Sequence, residues 1–143
     1  MDPLNISASI IAILQLSASV IGFINDVKGY DDDRTRIPAE IASTQGFLYI
    51  LKDKAERAPC EEFWGTMRSL NLPNGPLEQF KLALERLESK LQPDKGLKKI
   101  RKALTWPLQK GEVQDILSTI ERQKSIFLLA ITNNHMYVRC PRC

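Results

Sequence analysis

Apolar positions recur along this chain with a helical period of three and four, and no segment alternates apolar and polar residues strictly. Ile6, Ile10, Ile13, Val20, Ile24 and Val27 share one face of a first helix over Pro3–Val27, interrupted by Ser17. Ile11, Leu14 and Ile21 widen that face beyond the stripe of an ordinary surface helix. Gly29, Tyr30 and three aspartates break the pattern, and aspartates suit the start of the next helix. Ile37, Ile41, Thr44, Leu48, Leu51 and Ala55 then predict a second helix over Arg34–Arg57. Proline is tolerated only in a first turn, so Pro38 moves the expected start toward Ile37.

Ala58-Pro59 ends this helix, and Phe63, Met67 and Leu70 predict a short one after it. Leu72-Pro73-Asn74-Gly75-Pro76 reads as a loop, with Pro76 at a natural first helical position. Leu77, Phe80, Leu84, Leu87 and Leu91 give the narrow stripe of a bundle helix. Leu97, Ile100 and Leu104 mark a short basic helix that ends at Trp106-Pro107. The last helix, Gly111–Asn133, carries Val113, Ile116, Leu117, Ile120, Phe127, Leu128 and Ile131. The expectation is an all-α bundle of four long helices plus one or two short ones.

The 143 residues fit one domain with an ordinary core. A hydrophobic share of 43% excludes global disorder, and a net charge of +3 does not mark a nucleic-acid binder. Three cysteines, Cys60, Cys140 and Cys143, form no disulfide framework and suit a reducing cytosol.

The sharpest compositional feature is the run Pro3–Asn25, which has no charged residue although 26% of the chain is charged. As a helix it would reach roughly 33 Å, about the hydrocarbon thickness of a bilayer. Asn5, Ser7, Ser9, Gln15, Ser17 and Ser19 keep it from being a clean anchor. It does not read as a secretory signal, because the only charge before it is Asp2 and no small-x-small cleavage site follows. The segment suits either a protein core or lipid.

Catalytic chemistry finds little support. His135 is the only histidine, and there is no phosphate loop, nucleophile elbow or HExxH pattern. The pairs Glu61-Glu62 and Glu85/Glu88 fall where a solvated surface expects acids. Cys140-Pro-Arg-Cys143 lacks the setting of a redox motif and the partners of a zinc site. No cofactor, metal or catalytic residue is expected. Lys95, Lys98, Lys99, Arg101 and Lys102, with Trp106 beyond, form the densest basic patch. A basic amphipathic segment with a tryptophan suits an anionic lipid surface, at about 1 kcal/mol per cation.

Four phrases carry a family resemblance: MDPLNISASIIAILQL, PNGPLEQFKLALERLESKL, GLKKIRKALTWPL and EVQDILSTIERQKSIFLLAI. Over residues 1–132 the chain resembles the fungal HeLo-like N-terminal domain, which precedes nucleotide-binding and repeat domains in fungal STAND (NOD-like) receptors. Similar regions are also labelled as N-terminal domains of pigment-cluster proteins. The resemblance implies a helical bundle that is cytoplasmic at rest. On activation by a nucleotide-binding receptor it would homo-oligomerise and drive its N-terminal helix into the plasma membrane, causing cell death. The inserting residues would be Leu4, Ile6, Ile10, Ile11, Ile13, Leu14, Leu16, Val20, Ile21, Phe23 and Ile24, and the basic patch would meet anionic lipids. The alternative is a soluble homotypic adaptor that touches no lipid. Two features depart from the family: Pro38 falls where it keeps a continuous helix, and the tail over 133–143, NNHMYVRCPRC, does not continue its pattern.

Overall fold

A computed structural model describes residues 3–27, 32–57, 61–91 and 106–136. Five helices account for nearly all of them: α1 (Pro3–Asp26), α2 (Asp32–Glu56), α3 (Glu61–Leu70), α4 (Pro76–Leu91) and α5 (Lys110–Met136). The protein is an all-α helical bundle, with four long helices and one short one among the described residues. The short basic helix expected around Leu97–Leu104 lies outside them, as does the tail from 137 onward.

The periodic stripes became the core. All the stripe positions of α1, including Ser17, are buried, and so are those of α2, α3 and α4. In α5 the stripe is buried except for Leu128, which is 46% exposed. Leu128 sits 100° round the helix from Phe127, and Gln123 takes an inward place that the apolar pattern had left empty. α2 also differs from expectation. It starts at Asp32 and carries Pro38 inside it, nearly two turns beyond the start. Proline at that point removes the amide that would bond the Arg34 carbonyl, so α2 tolerates one missing rung rather than starting close to Ile37.

The main contacts run α1–α2–α5–α4 and back to α1, closing a ring of four. Directions follow from chemistry. Only four residues separate Val27 from Asp32, a reach of roughly 19 Å against a helix of roughly 36 Å, so the packed pair α1 and α2 is antiparallel. Arg36 pairs with Glu121 and Glu40 with Lys124, both numbers rising, so α2 and α5 are parallel. Arg86 pairs with Asp115 and Lys90 with Glu112, one rising as the other falls, so α4 and α5 are antiparallel. α1 and α4 are therefore parallel. At the centre of the bundle Phe80 and Phe127 meet edge to face, with ring centroids 6.2 Å apart.

The α3–α4 connection is a tight turn. The Gly75 amide donates to the Leu72 carbonyl at 2.8 Å, with Pro73 and Asn74 between. Asn74 has φ of 60°, the left-handed conformation a type II turn needs at its third position. A side chain at Gly75 would lie 2.7 Å from the Leu72 carbonyl oxygen, so that position has room only for hydrogen.

Candidate membrane-inserting helix

α1 is the element on which the sequence expectation rests. Asn5–Asp26 is long and apolar enough to cross a membrane by length and composition, a test that a buried core helix also passes. Its inner face is fully committed to the core. Ile6, Ile10, Ile13, Leu14, Val20 and Ile24 are buried, while Leu16, Ile21 and Phe23 are half-buried against the same cluster. Of the remaining expected inserting residues, Ile11 is exposed, and the side chain of Leu4 lies outside the described residues.

The outer face of α1 has an unusual character for a helix in water. Asn5, Ala8, Ile11, Ala12, Gln15, Ala18, Ser19, Gly22 and Asn25 face solvent, and none is charged. α2, α4 and α5 instead place ion-paired side chains there: Arg57–Asp53 on α2, Lys81–Glu85 on α4, and Arg86–Asp115 between α4 and α5. A solvated helix gains solubility from such charges, and α1 has none until Asp26.

The same asymmetry appears in how the helices are joined. α5 is tied to α2 by two ion pairs and to α4 by two more. α1 has no charged group with which to form one before Asp26. A part-buried side-chain hydrogen bond joins it to α2: the Gln45 Nε2 donates to Ser17 Oγ at 2.7 Å. The Ser17 hydroxyl in turn donates to the Leu14 carbonyl at 2.8 Å, so a fully buried hydroxyl is satisfied on both sides. Sequence reading singled out Ser17 as an interruption and missed Gln45, whose role depends on a contact 28 residues away in sequence.

Of the expected lipid-contact patch, Lys95, Lys98, Lys99, Arg101 and Lys102 lie outside the described residues. Trp106 is described, and the structure turns it inward. It is half-buried against the core, and its Nε1 is buried without a hydrogen-bond partner. Glu85 is exposed and Glu88 half-exposed, as a solvated α4 surface requires. Among the described residues no three His, Cys, Asp or Glu side chains converge to hold a metal. The shallow groove between α4 and α5, roughly 150 Å³, is lined by Gln79, Leu82, Ala83, Arg86, Ile116 and Thr119, and Arg86 is already paired with Asp115.

No protein-family model, curated protein or solved structure matches the chain, so the likeness to HeLo-like domains rests on the sequence phrases alone.

Proposed function

We propose that this protein is a non-enzymatic, membrane-targeting domain of cell-death signalling, cytoplasmic at rest, whose α1 enters the plasma membrane on oligomerisation. The observation that carries the reading is the outer face of α1, which stays uncharged through nine solvent-facing positions. With an apolar inner face behind it, the helix carries no charge on any side from Pro3 to Asn25, and the polar groups it would bring to lipid are the neutral ones of Asn5, Gln15, Ser19 and Asn25 on its outer face and Ser7, Ser9 and Ser17 elsewhere.

Magnitudes decide when such a helix leaves the bundle. Exposing the six buried apolar side chains of α1 to water would cost about 9–18 kcal/mol, as much as the entire stability of an ordinary domain. Release into water is therefore negligible. Transfer from core to bilayer keeps those side chains apolar on both sides, so only contact with lipid makes the exchange affordable. The uncharged outer face lets lipid be met before the inner face is uncovered.

A second reading has an observation in its favour. The complete burial of the inner face of α1 is what a permanently soluble adaptor would show. Dye release from anionic vesicles separates the two. The membrane reading expects release that charges on the outer face of α1 abolish. The adaptor reading expects none from a folded, concentrated sample. Deleting α1 is not a usable control, because the deletion removes one side of the core.

A further inference from the structure

The α3–α4 turn makes two demands on its residues, and together they fix a reactive pair. Asn74 stands in the left-handed conformation, with φ of 60°, which asparagine tolerates better than most residues that carry a side chain. Gly75 has room only for hydrogen, since a β-carbon there would lie 2.7 Å from the Leu72 carbonyl oxygen and 3.2 Å from that of Leu70. Of the six asparagines in the chain, only Asn74 precedes a glycine. Leu72, Pro73 and Asn74 are exposed, so water reaches the pair.

An asparagine followed by glycine is open to a hydrolysis that needs no enzyme. The backbone nitrogen of the glycine, having lost its proton to hydroxide, bonds to the asparagine Cγ. The Cγ–Nδ2 bond breaks, and ammonia leaves with a proton taken from water. Water then opens the cyclic imide. Cleavage at Cγ gives aspartate, and cleavage at the main-chain carbonyl carbon gives isoaspartate, whose backbone runs through the former side chain. One water enters, one ammonia leaves, and nothing is oxidised. Glycine favours the attack because no side chain shields its nitrogen.

The turn that creates the pair also restrains it. The Gly75 amide, which would have to lose its proton, donates to the Leu72 carbonyl at 2.8 Å. Ring closure needs the Gly75 nitrogen eclipsed with the Asn74 β-carbon. The third position of a type II turn has ψ near about 0°, which points that nitrogen about 120° away. Two further bonds hold this arrangement. The Asn74 amide donates to Glu78 Oε2 at 2.5 Å, and the Gln79 amide donates to the Gly75 carbonyl at 2.9 Å in the first turn of α4. Pro73 and Pro76 stiffen the backbone on either side.

We infer that Asn74 is a deamidation site gated by the fold, inert while the turn is closed and converted when the turn opens. Isoaspartate adds a carbon to the main chain between residues 74 and 75, so the Leu72–Gly75 bond cannot re-form in the same ring. Aspartate instead adds a charge beside Glu78. Either product is permanent, so the Asn74 amide records openings at the start of α4. Lipid insertion has no part in this chemistry.

The test holds the intact chain in mildly alkaline buffer, folded in one arm and unfolded by guanidinium in the other. The tryptic peptide 69–81 is followed by mass spectrometry, with isoaspartate detected by enzymatic methylation. Unfolded Asn74 should convert mainly to isoaspartate, at least about tenfold faster than in the folded chain. Asn71, in the same peptide and followed by leucine, is the internal reference and should stay largely intact. Glu78→Ala, which removes the acceptor of the Asn74 amide, should raise the folded rate about threefold and leave the unfolded rate unchanged. Asn74→Gly should abolish the product while circular dichroism stays helical. Equal rates in the two arms overturn the inference, as does an unfolded chain in which Asn74 is no more reactive than Asn71.

Discussion

Ala12→Lys combined with Gln15→Lys is the perturbation that best separates folding from insertion. Both positions face solvent in the bundle, near the middle of the uncharged segment of α1. In the folded protein each change touches no core contact and should shift stability by no more than about 0.5 kcal/mol. In a spanning helix both lysines would sit close to the bilayer centre, where each costs about 2.5–3.5 kcal/mol. The combined penalty of about 5–7 kcal/mol reduces the inserted population by more than a thousandfold. The assay is fluorophore release from anionic vesicles, with helicity and melting temperature measured on the same sample. The added charges strengthen simple electrostatic attraction to these vesicles, so surface binding and insertion move in opposite directions. The matched control, Gln114→Lys with Ser118→Lys on the exposed surface of α5, adds the same charge and should leave release intact. Undiminished release by the α1 variant would refute the reasoning.

Other substitutions probe the bundle itself. Phe127→Ala removes a fully buried ring that meets Phe80 edge to face and should cost about 3–5 kcal/mol in urea unfolding. Gln45→Met keeps the volume but removes the donor to Ser17, and should cost about 1 kcal/mol in the same assay. Arg86→Ala breaks an exposed pair with Asp115 and should change stability by less than about 1 kcal/mol, with an effect that fades as salt rises. Asn74→Val, forced into a left-handed conformation, should cost about 1–2 kcal/mol, while Asn74→Gly should be tolerated, both read from thermal melts.

The helices were legible because burial on one face leaves a three-four apolar rhythm that no tertiary contact is needed to read. Leu84 and Leu87 could be assigned to the core from spacing alone. Leu128 could not, because it is as apolar as Phe127 and only the packing of α5 in the bundle, where Phe127 meets Phe80 of α4, decides which of the two is covered. Pro38 misled the start of α2 because its cost is one missing hydrogen bond, which the packing of Ile37 and Ile41 outweighs. The ring order and the parallel pairing of α2 with α5 rest on ion pairs between residues 84 and 85 apart, which local pattern does not encode. For the candidate site, the uncharged character of α1 was visible at once. The division of its apolar residues between a packed inner face and an uncharged outer one, and the Gln45 contact, emerged only in three dimensions.

The central claim is that α1 moves from protein core to hydrocarbon. Its most direct test places an environment-sensitive fluorophore on Ala12→Cys, in a chain whose Cys60, Cys140 and Cys143 are replaced by serine, and adds anionic vesicles carrying nitroxide-labelled lipids. The account predicts a blue-shifted emission, quenched most strongly by nitroxides near the bilayer centre. Emission that stays water-like and unquenched, from a helical sample mixed with excess vesicles, would contradict it.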